Sequence, residues 1–198
     1  MKIEGLLTDE AILAELGKRF AQRRLELQLT QEMLAEQAGV SKRTVERVEA
    51  GAYGYEQALQ VIRRMGFIPM AAIEEQFRRM VFNIVARNQD DHVKNIAFLM
   101  DRSGNWSLSP AFDMTYSYQL GGKWTSHQMT INGKRGDFTL EDFKACAKSA
   151  SMKRGRAETI IDDVRDIIAQ WRDYAEESHV NPEQREKIER ALKLEPLP

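Results

Sequence analysis

Asn88-Gln89-Asp90-Asp91-His92-Val93-Lys94-Asn95 is the stretch that decides how this chain is read. Just upstream, within residues 69–87, Ile73, Phe77, Met80, Val81 and Ile84 recur at helical spacing. Just downstream, Ile96-Ala97-Phe98-Leu99-Met100 has the make-up of a short buried strand. The mostly polar residues between them follow neither period, as a loop carrying function would. Asp101-Arg102-Ser103-Gly104-Asn105 then reads as a turn and Trp106-Ser107-Leu108-Ser109 as a returning strand. A further aspartate, Asp113, closes Ser109-Pro110-Ala111-Phe112-Asp113.

An Asp followed five residues later by an Asn is the spacing of a protein-kinase catalytic loop, and a hairpin followed by a second Asp is the order of a kinase large lobe. Phosphoryl transfer needs such a set. One carboxylate takes the proton of the attacking hydroxyl. An amide oxygen and a second carboxylate hold the magnesium that neutralises charge on the transferring group. The resemblance sharpens over Gly51-Ala52-Tyr53-Gly54-Tyr55-Glu56-Gln57, Phe82 to Asn95, Leu108 to Asp113 and Gln128 to Arg135. These segments resemble the carboxy-terminal domain of HipA-type toxin kinases, over about residues 51–175. The resemblance implies Asp90 as catalytic base, Asn95 and Asp113 as Mg²⁺ ligands, and His92 and Lys94 as loop neighbours on the nucleotide side, with ATP as phosphoryl donor. Kinases also use a glycine-rich loop and a strand lysine from the small lobe. No G-x-G-x-x-G precedes Asp90, and the lysines before the loop are Lys2, Lys18 and Lys42.

Those lysines fall in a segment of different character. Thr8-Asp9-Glu10-Ala11 suits a helix start, and Ile12, Leu13, Leu16, Phe20 and Leu27 can share one face. Thr30 suits the N-cap of a second helix, with Met33, Leu34 and Ala38 inward. Gly39 ends it in a position suited to positive φ. Ser41 begins a third helix, Lys42 to Glu49, with Val45 and Val48 inward and Gly51 after it. Leu29 to Gly51 resembles the Xre/Cro-type helix-turn-helix family, and most of all HipB-like antitoxin repressors, over residues 8–52. That resemblance implies double-stranded DNA as partner, met by Gln31, Ser41, Lys42, Arg43, Thr44 and Arg47, and a dimer reading two half-sites.

Composition bounds the rest. The 198 residues are 42% hydrophobic and 30% charged, with net charge −1. This fits a packed fold of one or two small domains. Residues 1–52 carry 8 basic and 9 acidic side chains, so DNA contact calls for a local basic face. The single cysteine, Cys146, excludes an internal disulfide and fits a cytoplasmic location, with the thiol as a small buried hydrophobe. No apolar run of about 18 residues predicts a membrane span. Later elements read as a helix over 55–66, a hairpin at Asn132-Gly133, helices over 139–150 and 156–177, and a polar helix from Asn181. Ile160, Ile161, Val164, Ile167, Ile168 and Trp171 face inward on the long helix, and residues 195–198 fray.

The expected fold is mostly α: a helix-turn-helix over 1–52, a truncated kinase-like C-lobe with short β-hairpins over 53–178, and a polar tail helix over 179–198. The expected function is a toxin–antitoxin transcriptional regulator carrying the kinase lobe as an interaction surface. The alternative is an active HipA-family Ser/Thr kinase with Asp90 as base. A homodimer or a HipA/HipB-like partner chain would complete either.

Overall fold

The computed structural model describes residues 9–49, 53–64, 70–118 and 126–198; the side chains of residues 9–15, 43 and 47 are outside that description. Gly51, Gly66 and Gly121-Gly122 lie outside the described residues, as do the side chains of Ile12, Leu13, Arg43 and Arg47. The fold is mostly α, with one small antiparallel sheet among the described residues. It divides into two compact units, Met1–Gly54 and Tyr55–Pro198.

The first unit holds α1 (Asp9–Glu26), α2 (Gln31–Ala38) and α3 (Lys42–Glu49). Thr30 caps α2, its hydroxyl oxygen accepting from the Met33 N–H at 3.1 Å. Gly39 ends α2 at φ 64°, the left-handed region that glycine enters without penalty. Ser41 opens α3, its Oγ accepting from the Thr44 N–H at 3.2 Å. Among residues with described side chains, Ala35 and Val45 make the buried apolar centre. The face of α1 differs from the expected one. Leu16 is 52% exposed, and Phe20, Leu27 and, on α2, Met33 are also exposed. The cause is Gly17. A Cβ there would lie 2.5 Å from the Glu49 carbonyl oxygen, so α1 meets α3 at its glycine. That close approach turns the neighbouring Leu16 away from α3.

The second unit is built on α4 (Tyr55–Arg64), α5 (Met70–Val85), α6 (Leu140–Ser149) and α7 (Arg156–Ile168). The stripe Ile73, Phe77, Met80, Val81 and Ile84 is buried as its spacing predicts. Phe77 meets Phe143 edge-on at 6.4 Å, and Cys146 is fully buried beside Met80. Strands β1 (Phe98–Met100) and β2 (Trp106–Leu108) pair antiparallel with Phe98 opposite Leu108. This hairpin is shorter and more open than predicted, with Leu99, Met100 and Trp106 exposed. Asn132 (φ 50°) and Gly133 (φ 81°) form the expected tight turn under an Ile131–Lys134 bridge.

Two late elements depart from expectation. The long helix over 156–177 is two, α7 and α8 (Trp171–Glu177), with Ile167 left exposed. Neither glycine nor proline marks the break at Ala169-Gln170. Beyond it, Trp171 donates its indole N–H to the Arg185 carbonyl on α9 (Pro182–Glu189) at 3.1 Å. The last residues do not fray. Lys193 N–H donates to Val85 O at 2.9 Å, Arg165 Nε to Leu194 O at 3.0 Å, and Leu140 N–H to Pro198 O at 3.0 Å. Leu192, Leu194 and Leu197 pack against the core.

Candidate functional site

The loop after α5 is shaped by two consecutive aspartates that point to different surroundings. Asp91 is 2% exposed. Its carboxylate accepts from the Tyr55 hydroxyl at 2.7 Å and the Gln128 N–H at 2.8 Å, with His127 Nδ1 at 3.1 Å. This anchor sets Asp91 apart from Asp90: its carboxylate is bonded within the core beneath the loop. Burial and the neighbouring Asp91 carboxylate push the Tyr55 phenol well above its ordinary range, so Tyr55 stays a donor.

Asp90 is half-buried and faces His92, whose Nε2 lies 2.7 Å from Asp90 Oδ1. The Asp90 carbonyl accepts from the His92 N–H at 2.9 Å and from Asn95 Nδ2 at 3.2 Å. A 3-10 turn over Val93–Asn95 sets this return. With its amide nitrogen committed to Asp90 O, Asn95 keeps Oδ1 as the atom it can offer a ligand. Asp113 sits at φ 55°, a region few residues with a Cβ occupy but which aspartate tolerates.

One cleft brings these residues together. His92, Asn95 and Asp113 line it, with Gln76, Arg79, Asn83 and Asn88 from α5 and its end. Arg79 ties the walls, donating to Glu75 Oε1 at 2.8 Å and to the Ser109 carbonyl at 2.8 Å. Asp90 and Lys94 are not among the lining residues: Asp90 reaches the cleft through its bonds to His92 and Asn95, and Lys94 is exposed. No cluster of three His, Cys, Asp or Glu side chains suits a metal among the described residues. Mg²⁺ does not require one, since it takes one or two protein oxygens and completes its octahedron with water and phosphate. Asn95 and Asp113 fit that pattern.

Tyr55, Asn83, His127 and Gln76 escaped the sequence reading. They come from three separate places in the chain, α4, α5 and the segment before the Asn132-Gly133 turn, and no spacing marks them as partners of the loop. Only the doubled Asp90-Asp91 hinted that one of the pair would be structural.

In the first unit, the residues expected to meet DNA are placed as follows. Gln31 donates Nε2 to Glu49 Oε2 at 2.8 Å. Glu49 also holds Arg24, at 2.5 Å from Nε and 3.0 Å from an Nη. Ser41 Oγ and Thr44 Oγ1 share a 2.9 Å bond, and Lys42 is exposed at the start of α3. Arg43 and Arg47 lie on α3 with side chains outside the description.

A comparison with known families matches the chain over residues 5–171 to the HipA-like C-terminal domain. The chain belongs to that family. The match makes it a HipA-related protein of the toxin–antitoxin theme. It reaches further upstream than the expected residues 51–175 and takes in α1 to α3. No curated protein matches the sequence. Among the described residues no helix is long and apolar enough to cross a membrane.

Proposed function

We propose that this HipA-related chain is a toxin–antitoxin transcriptional regulator that binds double-stranded DNA through its first unit. The carrying observation is the joint of α2 and α3: two capped eight-residue helices around a left-handed Gly39, with Ser41 and Lys42 exposed at the start of the second. A helix presented this way offers its first turn to the major groove. Lys42, Arg43 and Arg47 supply phosphate contacts or guanine edges. Gln31 is held against Glu49, so its role is to brace α2 and to offer its amide oxygen. Binding as a homodimer, or beside a HipA/HipB-like partner chain, would present two such helices.

Fluorescence anisotropy with the duplex upstream of the protein's own coding sequence, over a salt series, tests this. Lys42→Ala with Arg43→Ala should weaken binding and reduce the slope of log affinity against log salt by about 1.8, two phosphates' worth of counterions. Equal binding and slope in parent and variant would sink the reading.

A second reading is favoured by the cleft. Asn95, Asp113 and His92 line one wall system beside Asp90, the set a HipA-type Ser/Thr kinase would use with Mg²⁺ and ATP. When bound, the metal would neutralise charge on the phosphoryl group. Asp90, through its contact with His92, is the base candidate. No G-x-G-x-x-G motif precedes Asp90, so on this reading positioning of the nucleotide phosphates would come from another segment or chain. The isolated protein should therefore show no transfer of labelled phosphate from Mg-ATP. Transfer that Asp90→Ala abolishes would promote this reading above the first.

A further inference from the structure

We infer that Asn88 is a positioning residue for Asp113, and that its orientation is dictated through a buried hydrogen-bond chain by the charge of Asp91. The inference rests on reading the cleft as a cation site. Tyr55, Asn83 and Asn88 lie in segments that carry the family resemblance, but neither it nor the loop spacing gives them a role.

The chain has one possible direction. An ionised Asp91 can only accept. Tyr55 must then donate to it, across 2.7 Å. The phenolic oxygen is left to accept from Asn83 Nδ2, at 2.9 Å. Asn83 thereby turns Oδ1 to Asn88, which donates Nδ2 across 3.0 Å. The same Asn88 nitrogen reaches the Asp113 carbonyl at 3.2 Å. A flipped Asn88 would set oxygen against two oxygens, so its amide has one orientation. The backbone N–H of Asn88 also donates to the Asn83 carbonyl at 2.8 Å.

The terminus of the chain is the residue that needs holding. Asp113 is left-handed at φ 55°, a conformation that persists where its surroundings fix it. Asn88 is 1% exposed and cannot drift with solvent. Its remaining atom, Oδ1, is buried with no partner among the described residues. Leaving an amide oxygen so is costly, and the Nδ2 bonds hold the amide in place despite that cost. Gln76, which lines the same cleft, is 3% exposed and has a second unpartnered oxygen, Oε1.

Mn²⁺ titrated into the full-length protein, read by water-proton relaxation, measures the effect without any enzymatic activity. Asn88→Ala should weaken Mn²⁺ affinity by about tenfold, the lower end for an outer-shell partner of a metal ligand. Tyr55→Phe keeps the ring and removes only the hydroxyl, and should weaken affinity in the same direction by a smaller factor. Asn88→Asp is the deciding variant. Simple charge addition near a cation would tighten binding. Loss of the Nδ2 donor should instead weaken it, because a carboxylate at that position repels the Asp113 carbonyl. Unchanged affinity in Asn88→Ala, or tighter binding in Asn88→Asp, overturns the inference while leaving the cation site intact. If Asn88→Ala fails to fold by circular dichroism, Tyr55→Phe decides in its place, and unchanged affinity there overturns it. A parent protein that does not respond to Mn²⁺ overturns the cation-site reading itself.

Discussion

The two units are held together in different ways. In the first, three helices of modest length meet over a very small apolar centre, and much of the geometry rests on one backbone approach at Gly17. One cluster, Arg24 with Glu49 and Gln31, ties the three helices. In the second, a continuous core spans four helices and extends to the C-terminal residues, and buried carboxylates lock the loops to it. Asp91 anchors the candidate catalytic loop. Asp142 anchors the Asn132-Gly133 turn, accepting from Lys134 Nζ at 2.7 Å, Asn132 Nδ2 at 2.7 Å and the Thr139 N–H at 2.9 Å. A thin core makes a unit depend on a single contact, and a broad one lets polar residues be spent on shaping a site.

The largest expected effect breaks the first unit alone. Gly17→Val would drive a side chain into the Glu49 and Val48 carbonyls, which are backbone and cannot rotate aside. Strain of this kind typically costs about 1–3 kcal/mol, enough to unfold a unit with so small a core. Hydrogen exchange should show protection lost across α1 to α3 while α5 and α7 stay protected. Loss of protection in both would mean the units do not fold independently.

A smaller effect falls on the second unit. Asp142→Ala leaves the half-exposed Lys134 and the capping Thr139 without their acceptor, at roughly 1 kcal/mol, the usual cost of a lost helix cap. Thermal melting followed by tryptophan fluorescence should show the drop, with the helices of the first unit retained. Acid sharpens the same contrast. Burial opposes ionisation of Asp142, but Lys134 and the bonds from Thr139 and Asn132 outweigh it and hold the carboxyl far below the usual range. Arg24 first, then Gln31, likewise lowers Glu49 against the effect of burial. A carboxyl lowered in the folded state stabilises fully above its unfolded value, near 4, and that stability is lost as pH falls through the folded value. Both units should therefore weaken below about pH 4. In Asp142→Ala the second unit should lose part of its acid sensitivity while the first keeps its own. Acid sensitivity unchanged in that variant would mean Asp142 does not carry it.

The helices of the core were legible from periodicity. The stripe along α5 and the caps at Thr30 and Asn181 follow from residue type and spacing, since a period of 3.6 places one face inward wherever the chain lies. The same rule failed on α1, where the apolar stripe through Leu16 and Phe20 is exposed and the small residue Gly17 takes the contact. It failed again at Ala169-Gln170, where the helix breaks without a breaking residue. Spacing also pointed to Asp90, Asn95 and Asp113, and the structure sets Asn95 and Asp113 in one cleft, with Asn95 bonded to the Asp90 carbonyl. What the tertiary structure decided is which of two adjacent aspartates is buried, and which side chains orient the others. Tyr55, Asn83, Asn88 and Asp91 form one polar chain because the packing of α4 and α5 sets them within hydrogen-bond reach. Sequence patterns register local period and composition, whereas a hydrogen bond between residues 36 apart exists only once the core has closed around it.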